Sequence, residues 1–324
     1  MRLAIFGAGA IGTWLGAALT ACGEDVTLIG RGAHLEALRR HGAVLDDGAT
    51  RTTVAVRAVG PEAAVGPVDC VVLAVKAHDL AACGPVVEPL LGPGTTLVAA
   101  QNGLPWWYFH RAGGPHDGRR VHAVDPGGVV GDVLVPERVL GAVVYLGAGI
   151  PEPGVVVTRP EAGLVLGEPS GPVSERLEAV ATVLERAGFP VRRSTDIRTE
   201  LWTKLMGNAS FNLMSVLTRA GLRTMATDAG TGPLVAAVMA ETVEIARACG
   251  ADPRISVAER LALAARLGDH KPSTLQDLEA GKRLELDALG AAVVELADLT
   301  GVAAPALRTV YALADLQART LGLR

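Results

Sequence analysis

Arg2-Leu-Ala-Ile-Phe-Gly-Ala-Gly-Ala-Ile-Gly12 is the stretch that decides the fold. Arg2 to Phe6 reads as a short buried strand, and a helical apolar pattern runs from Ala10 to Cys22. Between them lies G-x-G-x-x-G, in the strand–turn–helix context that gives the pattern meaning. Gly7 permits a tight turn, Gly9 lets backbone approach a pyrophosphate, and Gly12 lets the helix pack on the strand. The first amides of the helix, through Ala10 and Ile11, can then meet the phosphates. Gly7, Gly9, Ala10, Ile11 and Gly12 are therefore candidate dinucleotide contacts.

The pattern extends outward. Asp25-Val-Thr-Leu-Ile29 is a second strand, closed by Gly30-Arg31. Chains that bind NAD usually place an acid here, to accept from the ribose 2′-hydroxyl. Arg31 instead offers a planar guanidinium suited to a 2′-phosphate, so NADP is the expected cofactor. Asp69 to Val75 and Thr95 to Ala100 are further buried strands, closed by Lys76-Ala-His78 and Gln101-Asn102-Gly103. Ligands of open parallel sheets meet the carboxyl ends of the strands, which places Lys76 and Asn102 beside the cofactor. Pro105-Trp-Trp-Tyr-Phe-His-Arg-Ala-Gly-Gly-Pro115 and its Gly/Pro-rich continuation to Gly131 read as a long excursion. Such a loop is a lid or substrate wall, or it packs on a second domain or a second subunit. Val143 to Leu146, Gly154 to Val157, Leu164 to Leu166 and Val191 to Ser194 add strands, with a crossover helix over Ser174 to Gly188.

From Ile197 onward strand signals disappear. Helical spacing covers 234–249, 256–267, 284–299 and 305–321. The first helix of this half carries Lys204-x3-Asn208-x3-Asn212 in apolar surroundings. Four-residue steps put these side chains on one face. A cation and two carboxamides there are either a solvated stripe or a polar array turned toward a small oxygen-rich acid. Ser273, with Gln276 three residues on, has the form of a capping box. Glu285 lies between Leu284 and Leu286, as a surface acid at a helix start or an inward acceptor. The expected fold is α/β: a Rossmann-like dinucleotide-binding domain over residues 1–195, then an all-α domain over 196–324 for substrate and dimerisation.

Composition excludes several classes. With 49 % hydrophobic and 20 % charged residues among 324, the chain can bury two cores and is not disordered. A net charge of −4 gives no electrostatic footprint for nucleic acid. The four cysteines have no metal-like spacing, and their apolar contexts read as buried reduced thiols, which suits a cytoplasmic protein. No HExxH pair or carboxylate cluster points to a metal, so none is expected. Residues 3 to 23 lack charge and end in Leu19-Thr-Ala-Cys22, a lipoprotein-like box. The ordered glycines at 7, 9, 12 and 16 instead favour a first strand and helix over a leader or membrane segment.

Taken in order, these landmarks resemble the ketopantoate reductase (2-dehydropantoate 2-reductase) family over nearly the whole chain. The glycine loop, Arg31, Lys76, Gln101-Asn102-Gly103, Lys204-x3-Asn208-x3-Asn212, Ser273-Thr-Leu-Gln-Asp277 and Glu285-Leu-Asp287 carry the resemblance. It implies NADPH-dependent reduction of a 2-oxo acid to a 2-hydroxy acid in a cleft between the domains. It also implies roles: Lys204 as general acid, Glu285 as partner of a substrate hydroxyl, and Asn208, Asn212 and Ser273 as substrate binders. Asn102 would lie between nicotinamide and substrate. The aromatic excursion and Gly290-Ala291, where Asn-Gly is expected, depart from the pattern and leave a different, bulkier 2-oxo acid open. A homodimer is also open, as is a non-catalytic NADP sensor, which would need the glycine loop but not Lys204.

Overall fold

In the computed structural model, residues 1–159 and 163–324 are described. They form two compact units whose sequences interleave. The first holds Met1–Gln101, Phe109–Arg119 and Gly128–Ile197; the second holds Asn102–Tyr108, Arg120–Gly127 and Arg198–Arg324. The expectation of one boundary near residue 195 thus meets a chain that visits the second unit twice before settling there.

The first unit contains strands β1 (Arg2–Phe6), β2 (Asp25–Ile29), β3 (Ala43–Asp46), β4 (Arg51–Val54), β5 (Arg57–Val59) and β6 (Val68–Leu73). They are followed by β7 (Leu91–Ala99), β8 (Val139–Val144), β9 (Ala148–Glu152), β10 (Val155–Thr158), β11 (Leu164–Gly167) and β12 (Val191–Ser194). Eight of them form a sheet in the order β12-β11-β8-β7-β6-β1-β2-β5. All neighbours are parallel except β8 and β11. The β1 strand lies inside the sheet, and its interior residues Leu3, Ala4 and Ile5 are buried. An Ala10–Ala21 helix follows β1, and the Glu175–Arg186 helix makes the crossover from β11 to β12, capped by the Ser174 hydroxyl.

The Gly154–Val157 stretch leaves this sheet. It forms part of β10 in a separate four-stranded sheet, order β4-β3-β10-β9. Strands β3 and β4 are a hairpin turned at Asp47, whose carboxylate accepts from the Ala49 and Thr50 amides. Every residue of Arg51–Thr53 is exposed, so no apolar alternation announces that strand. The thiols correct one expectation. Cys70 and Cys83 are buried, and burial pushes Cys70 up to about 12, but Cys22 ends its helix in solvent.

The second unit is helical around buried Trp202, Phe211, Met239 and Leu289. Its first long helix runs over Ile197–Gly207, passes through a π-helical turn at Asn208–Asn212, and resumes at Leu213–Thr218. A second π turn spans Asp287–Ala291 before the Ala292–Thr300 helix, and the two π turns pack together. Helices over Thr231–Ala248, Val257–Arg266 and Pro305–Thr320 complete most of the layer. Pro305 opens the last of these, and the Glu241 carboxylate caps it by accepting from the Ala306 and Leu307 amides at 3.0 and 2.8 Å.

The aromatic run is core, not an open loop. Trp106, Trp107, Tyr108 and Phe109 are all buried. Tyr108 is held to the second unit's first helix from two sides. Trp202 Nε1 donates to its hydroxyl at 2.6 Å, and Arg198 Nε donates to its carbonyl at 2.7 Å. Among the described residues no helix is long and apolar enough to cross a membrane, and no cluster of His, Cys, Asp or Glu could hold a metal.

Candidate active site

The glycine loop of the first unit is shaped by what its residues lack. Gly7 has φ +107°, and a Cβ there would lie 2.7 Å from backbone atoms of Ala74 and Val75. A Cβ on Gly12 would fall 2.1 Å from the Gly7 carbonyl oxygen. Gly9 faces open space instead. Two amides, Gly7 and Ala8, donate to Ile29 O at 3.0 Å, pinning the turn to the end of β2. The helix's own ladder starts when Thr13 N–H donates to Gly9 O at 2.8 Å. The amides of Ala10, Ile11 and Gly12 therefore precede it, at the positive end of the helix dipole. Open space over Gly9 beside three leading amides fits an anionic pyrophosphate.

Arg31 stands at the end of β2, immediately before the Gly32–His41 helix. Its side chain is 85 % exposed, and its nearest ionic neighbour is Asp79 at 3.8 Å. That distance in solvent is a weak tie, so the guanidinium can be recruited. Arg39 and Arg40 are paired with Glu36. Lys76 is half-buried just beyond the end of β6. Gln101 ties the strand ends together, donating from Nε2 to Leu73 O at 2.6 Å.

The second unit gathers the polar residues. Lys204 Nζ donates to Asn102 Oδ1 at 2.6 Å. Asn102 reaches it because Gly103, at φ +85°, lets the turn lie against Ala288, where a Cβ would sit 2.5 Å from the Ala288 carbonyl oxygen. Leu104 N–H then donates to that same oxygen at 2.9 Å. Burial pulls the Lys204 ammonium down to about 8, while the Glu285 carboxylate raises it. Glu285 is only 5 % exposed, which excludes the surface-acid alternative. It lies in an irregular segment before the π turn, not in a helical first turn.

Asn212 is buried, and its Nδ2 donates to Ser273 Oγ at 3.4 Å. The capping-box reading of Ser273 is therefore corrected. Pro272 occupies the N-cap, no side chain caps that helix, and Gln276 donates to Lys271 O. Asn208 is half-buried at the start of the π turn. The π turn alters the ladder's second step. Asn208 to Asn212 spans a wider i→i+5 turn, the kind of irregularity that often re-aims side chains at functional sites. Ser210 helps to maintain it by donating its hydroxyl to Met206 O at 2.8 Å.

A family model described as Ketopantoate reductase PanE/ApbA matches residues 3–106, and one described as Ketopantoate reductase PanE/ApbA C terminal matches residues 196–318. The chain belongs to the ketopantoate reductase family. It is an oxidoreductase, of a family that depends on a dinucleotide. A Mesorhizobium japonicum protein named 2-dehydropantoate 2-reductase is 43 % identical over 97 % of this chain and 96 % of its own length. The crystal structure of a protein provisionally named ketopantoate reductase, from Ralstonia solanacearum MolK2, matches with TM-score 0.93 and 40 % identity, covering 100 % of this chain and 99 % of that one. D-mandelate dehydrogenase, solved with NADH and anilino(oxo)acetate, covers 100 % of both chains at TM-score 0.84 and 20 % identity. At that identity the likeness is one of fold alone.

Sequence reasoning missed Tyr108 and Trp202, whose mutual bond anchors the aromatic run, and Arg324, which reaches Asp287 two residues past Glu285. None of the three stands in a motif. Only the folded chain brings their partners near.

Proposed function

We propose that the chain reduces a 2-oxo acid, ketopantoate, to the 2-hydroxy acid pantoate with NADPH. The observation that carries this reading is the Lys204 ammonium, hydrogen-bonded to Asn102, drawn down to about 8 and acted on by the buried Glu285 charge. The residues for NADPH are Gly7, Gly9, Ala10, Ile11 and Gly12 at the pyrophosphate, Arg31 at the 2′-phosphate, and Lys76 and Asn102 farther along. When bound, the dinucleotide supplies the hydride.

The protein's part is to hold the acid and to manage charge. As the carbonyl carbon is reduced its oxygen turns anionic. Lys204 stabilises that charge and then gives up the proton from Nζ. An ammonium titrating near 8 is a better proton donor at neutral pH than an ordinary lysine. Asn102 keeps Nζ in place. Glu285 accepts from a substrate hydroxyl and favours the charged form of Lys204. Asn208, Asn212 and Ser273 supply donors and acceptors for the rest of the substrate.

Two considerations favour ketopantoate over a bulkier acid. The Trp106–Phe109 run is buried core, so it no longer argues for an enlarged substrate wall. The 43 % identical relative is named for 2-dehydropantoate. A sensor without turnover would gain nothing from an ammonium tuned in this way. The test is a screen of 2-oxo acids, ketopantoate among them, followed by loss of NADPH absorbance. Ketopantoate should give the highest kcat/KM. A higher value for an aryl 2-oxo acid would replace the substrate, and turnover of none would remove the reading.

A further inference from the structure

Glu285 sits on a stretch that cannot hold it unaided. Residues 282–285 have no regular structure, between the Ser273–Glu279 helix and the Asp287–Ala291 π turn. A buried carboxylate on such a segment depends on outside supports for its aim. Two of those supports come from residues beyond the Pro305–Thr320 helix. Just before Glu285, Leu284 N–H donates to Leu323 O at 2.9 Å. Just after it, Asp287 Oδ1 accepts from Arg324 Nη2 at 2.5 Å.

Arg324 is itself firmly held. Its Nε donates to Asp315 Oδ1 at 2.5 Å, on the Pro305–Thr320 helix, and its Nη2 lies 3.4 Å from the Tyr311 hydroxyl. The side chains of Arg324, Asp287 and Asp315 are only 20, 30 and 18 % exposed, so these pairs are less screened than surface ones. The Tyr311 ring closes the arrangement by packing on Gly290, within the π turn. The guanidinium thus fastens the far side of the Glu285 segment to a long helix, while the neighbouring carbonyl fastens the near side.

We propose that Arg324 is a positioning residue for Glu285, holding its segment in place through Asp287 while Leu323 secures Leu284. The proposal rests on the reading of Glu285 as the partner of Lys204. It touches neither substrate nor cofactor directly, and its effect is felt through the aim of one carboxylate.

The sign of a pH shift separates this role from a direct effect of charge. Removing the Arg324 cation, or leaving Asp287 unpaired, adds negative potential and would raise the pKa of Lys204. Letting Glu285 swing away removes the charge that raises it and lowers the pKa. The experiment measures kcat/KM for ketopantoate from neutral to alkaline pH, and NADPH affinity by fluorescence. The whole chain is used, carrying Arg324→Met, Arg324→Lys, Glu285→Gln, or Arg324→Met with Glu285→Gln.

Arg324→Met should lower kcat/KM roughly ten- to a hundredfold, as misplacing a reacting group does. NADPH affinity should not change, and the alkaline limb should move to lower pH. Arg324→Lys should restore most of the loss. In the Glu285→Gln background, Arg324→Met should change little. Should Arg324→Met fail to fold, Asp287→Asn breaks the same pair. It also removes a negative charge, which by itself lowers the Lys204 pKa. The readout is then the loss of kcat/KM, which should be present in Asp287→Asn and absent when Asp287→Asn is added to Glu285→Gln. A limb that stays or moves up, or losses that multiply in the double variant, overturns the proposal. Impaired Glu285→Gln beside wild-type Arg324→Met overturns the positioning alone. Near-wild-type Glu285→Gln overturns the reading of Glu285, and the proposal with it.

Discussion

The glycine loop and the Lys204 array are built on opposite principles. In the loop, the proposed binding rests on absent atoms. Gly7 and Gly12 leave room for backbone at 2.7 and 2.1 Å, and Gly9 leaves room for a ligand. In the array, the proposed chemistry rests on atoms present and held. Lys204 meets Asn102, 102 residues away, and Asn212 meets Ser273, 61 residues away. A site made of omissions is local and tolerates almost no added side chain. A site made of assembled side chains can lose one member and keep its fold. The two regions should therefore fail differently, one in binding and stability, the other in turnover.

The largest expected effect tests that contrast directly. Lys204→Ala should leave folding and NADPH affinity intact while lowering kcat by roughly 10²–10⁴. In the unsubstituted protein, reduction should decline as pH rises through about 8, because Lys204 must be protonated to donate. Glu285→Gln should move that decline to lower pH, since Glu285 raises the pKa. A profile of kcat against pH for the three proteins decides. Turnover by Lys204→Ala close to that of the unsubstituted protein would reduce the array to a solvated stripe.

The same contrast explains what the amino-acid sequence made legible. Gly7, Gly9 and Gly12 announce their roles because the lack of a side chain is itself a sequence fact, read in the context of β1 and the following helix. The helical second half was legible from apolar spacing. Lys204, Asn208 and Asn212 showed as a ladder, but their π turn did not, since i+4 spacing looks the same in both geometries. Ser273 stayed open between two readings, because a capping hydroxyl and one turned toward a neighbouring side chain share one local pattern. The aromatic run stayed open between a lid, a substrate wall and a packed anchor, because the Trp202 that fixes Tyr108 lies far along the chain. The β3–β4 hairpin was hidden by its exposed, polar second strand. What escaped was either backbone geometry that leaves no mark on residue spacing or contact made only in the folded chain.

Arg31 is the exception within the first unit, a side chain on which the proposed choice of NADPH rests, and it sharpens the comparison. Arg31→Ala should weaken NADPH by roughly 1.5–3 kcal/mol, about ten- to a hundredfold, and leave NADH nearly unchanged. Titration of both cofactors by fluorescence checks this. The fold does not settle the matter, because D-mandelate dehydrogenase shares it and was solved with NADH. Equal affinity of the unsubstituted protein for the two cofactors would assign Arg31 to the surface.

Gly290 tests the comparison from the other side, because it is an omission inside the side-chain site. A Cβ there would fall 2.4 Å from Tyr311 Cδ2 and 3.3 Å from Leu213 Cδ1. The first distance cannot stand, so the Tyr311 ring or the π turn has to move. Gly290→Ala should lower stability by about 1–3 kcal/mol, the usual range for overpacking, measured by urea unfolding. Tyr311→Leu in the same protein should recover part of the loss, because it removes the ring edge that the new methyl meets. NADPH affinity should change little in both, since the residues assigned to its phosphates, the glycine loop and Arg31, lie in the other unit. Substrate KM should rise, because the π turn follows directly on Glu285. If Gly290→Ala were as stable as the parent and equally active, the departure from Asn at this position would be a neutral one, and the ring contact would have no bearing on the acid's placement.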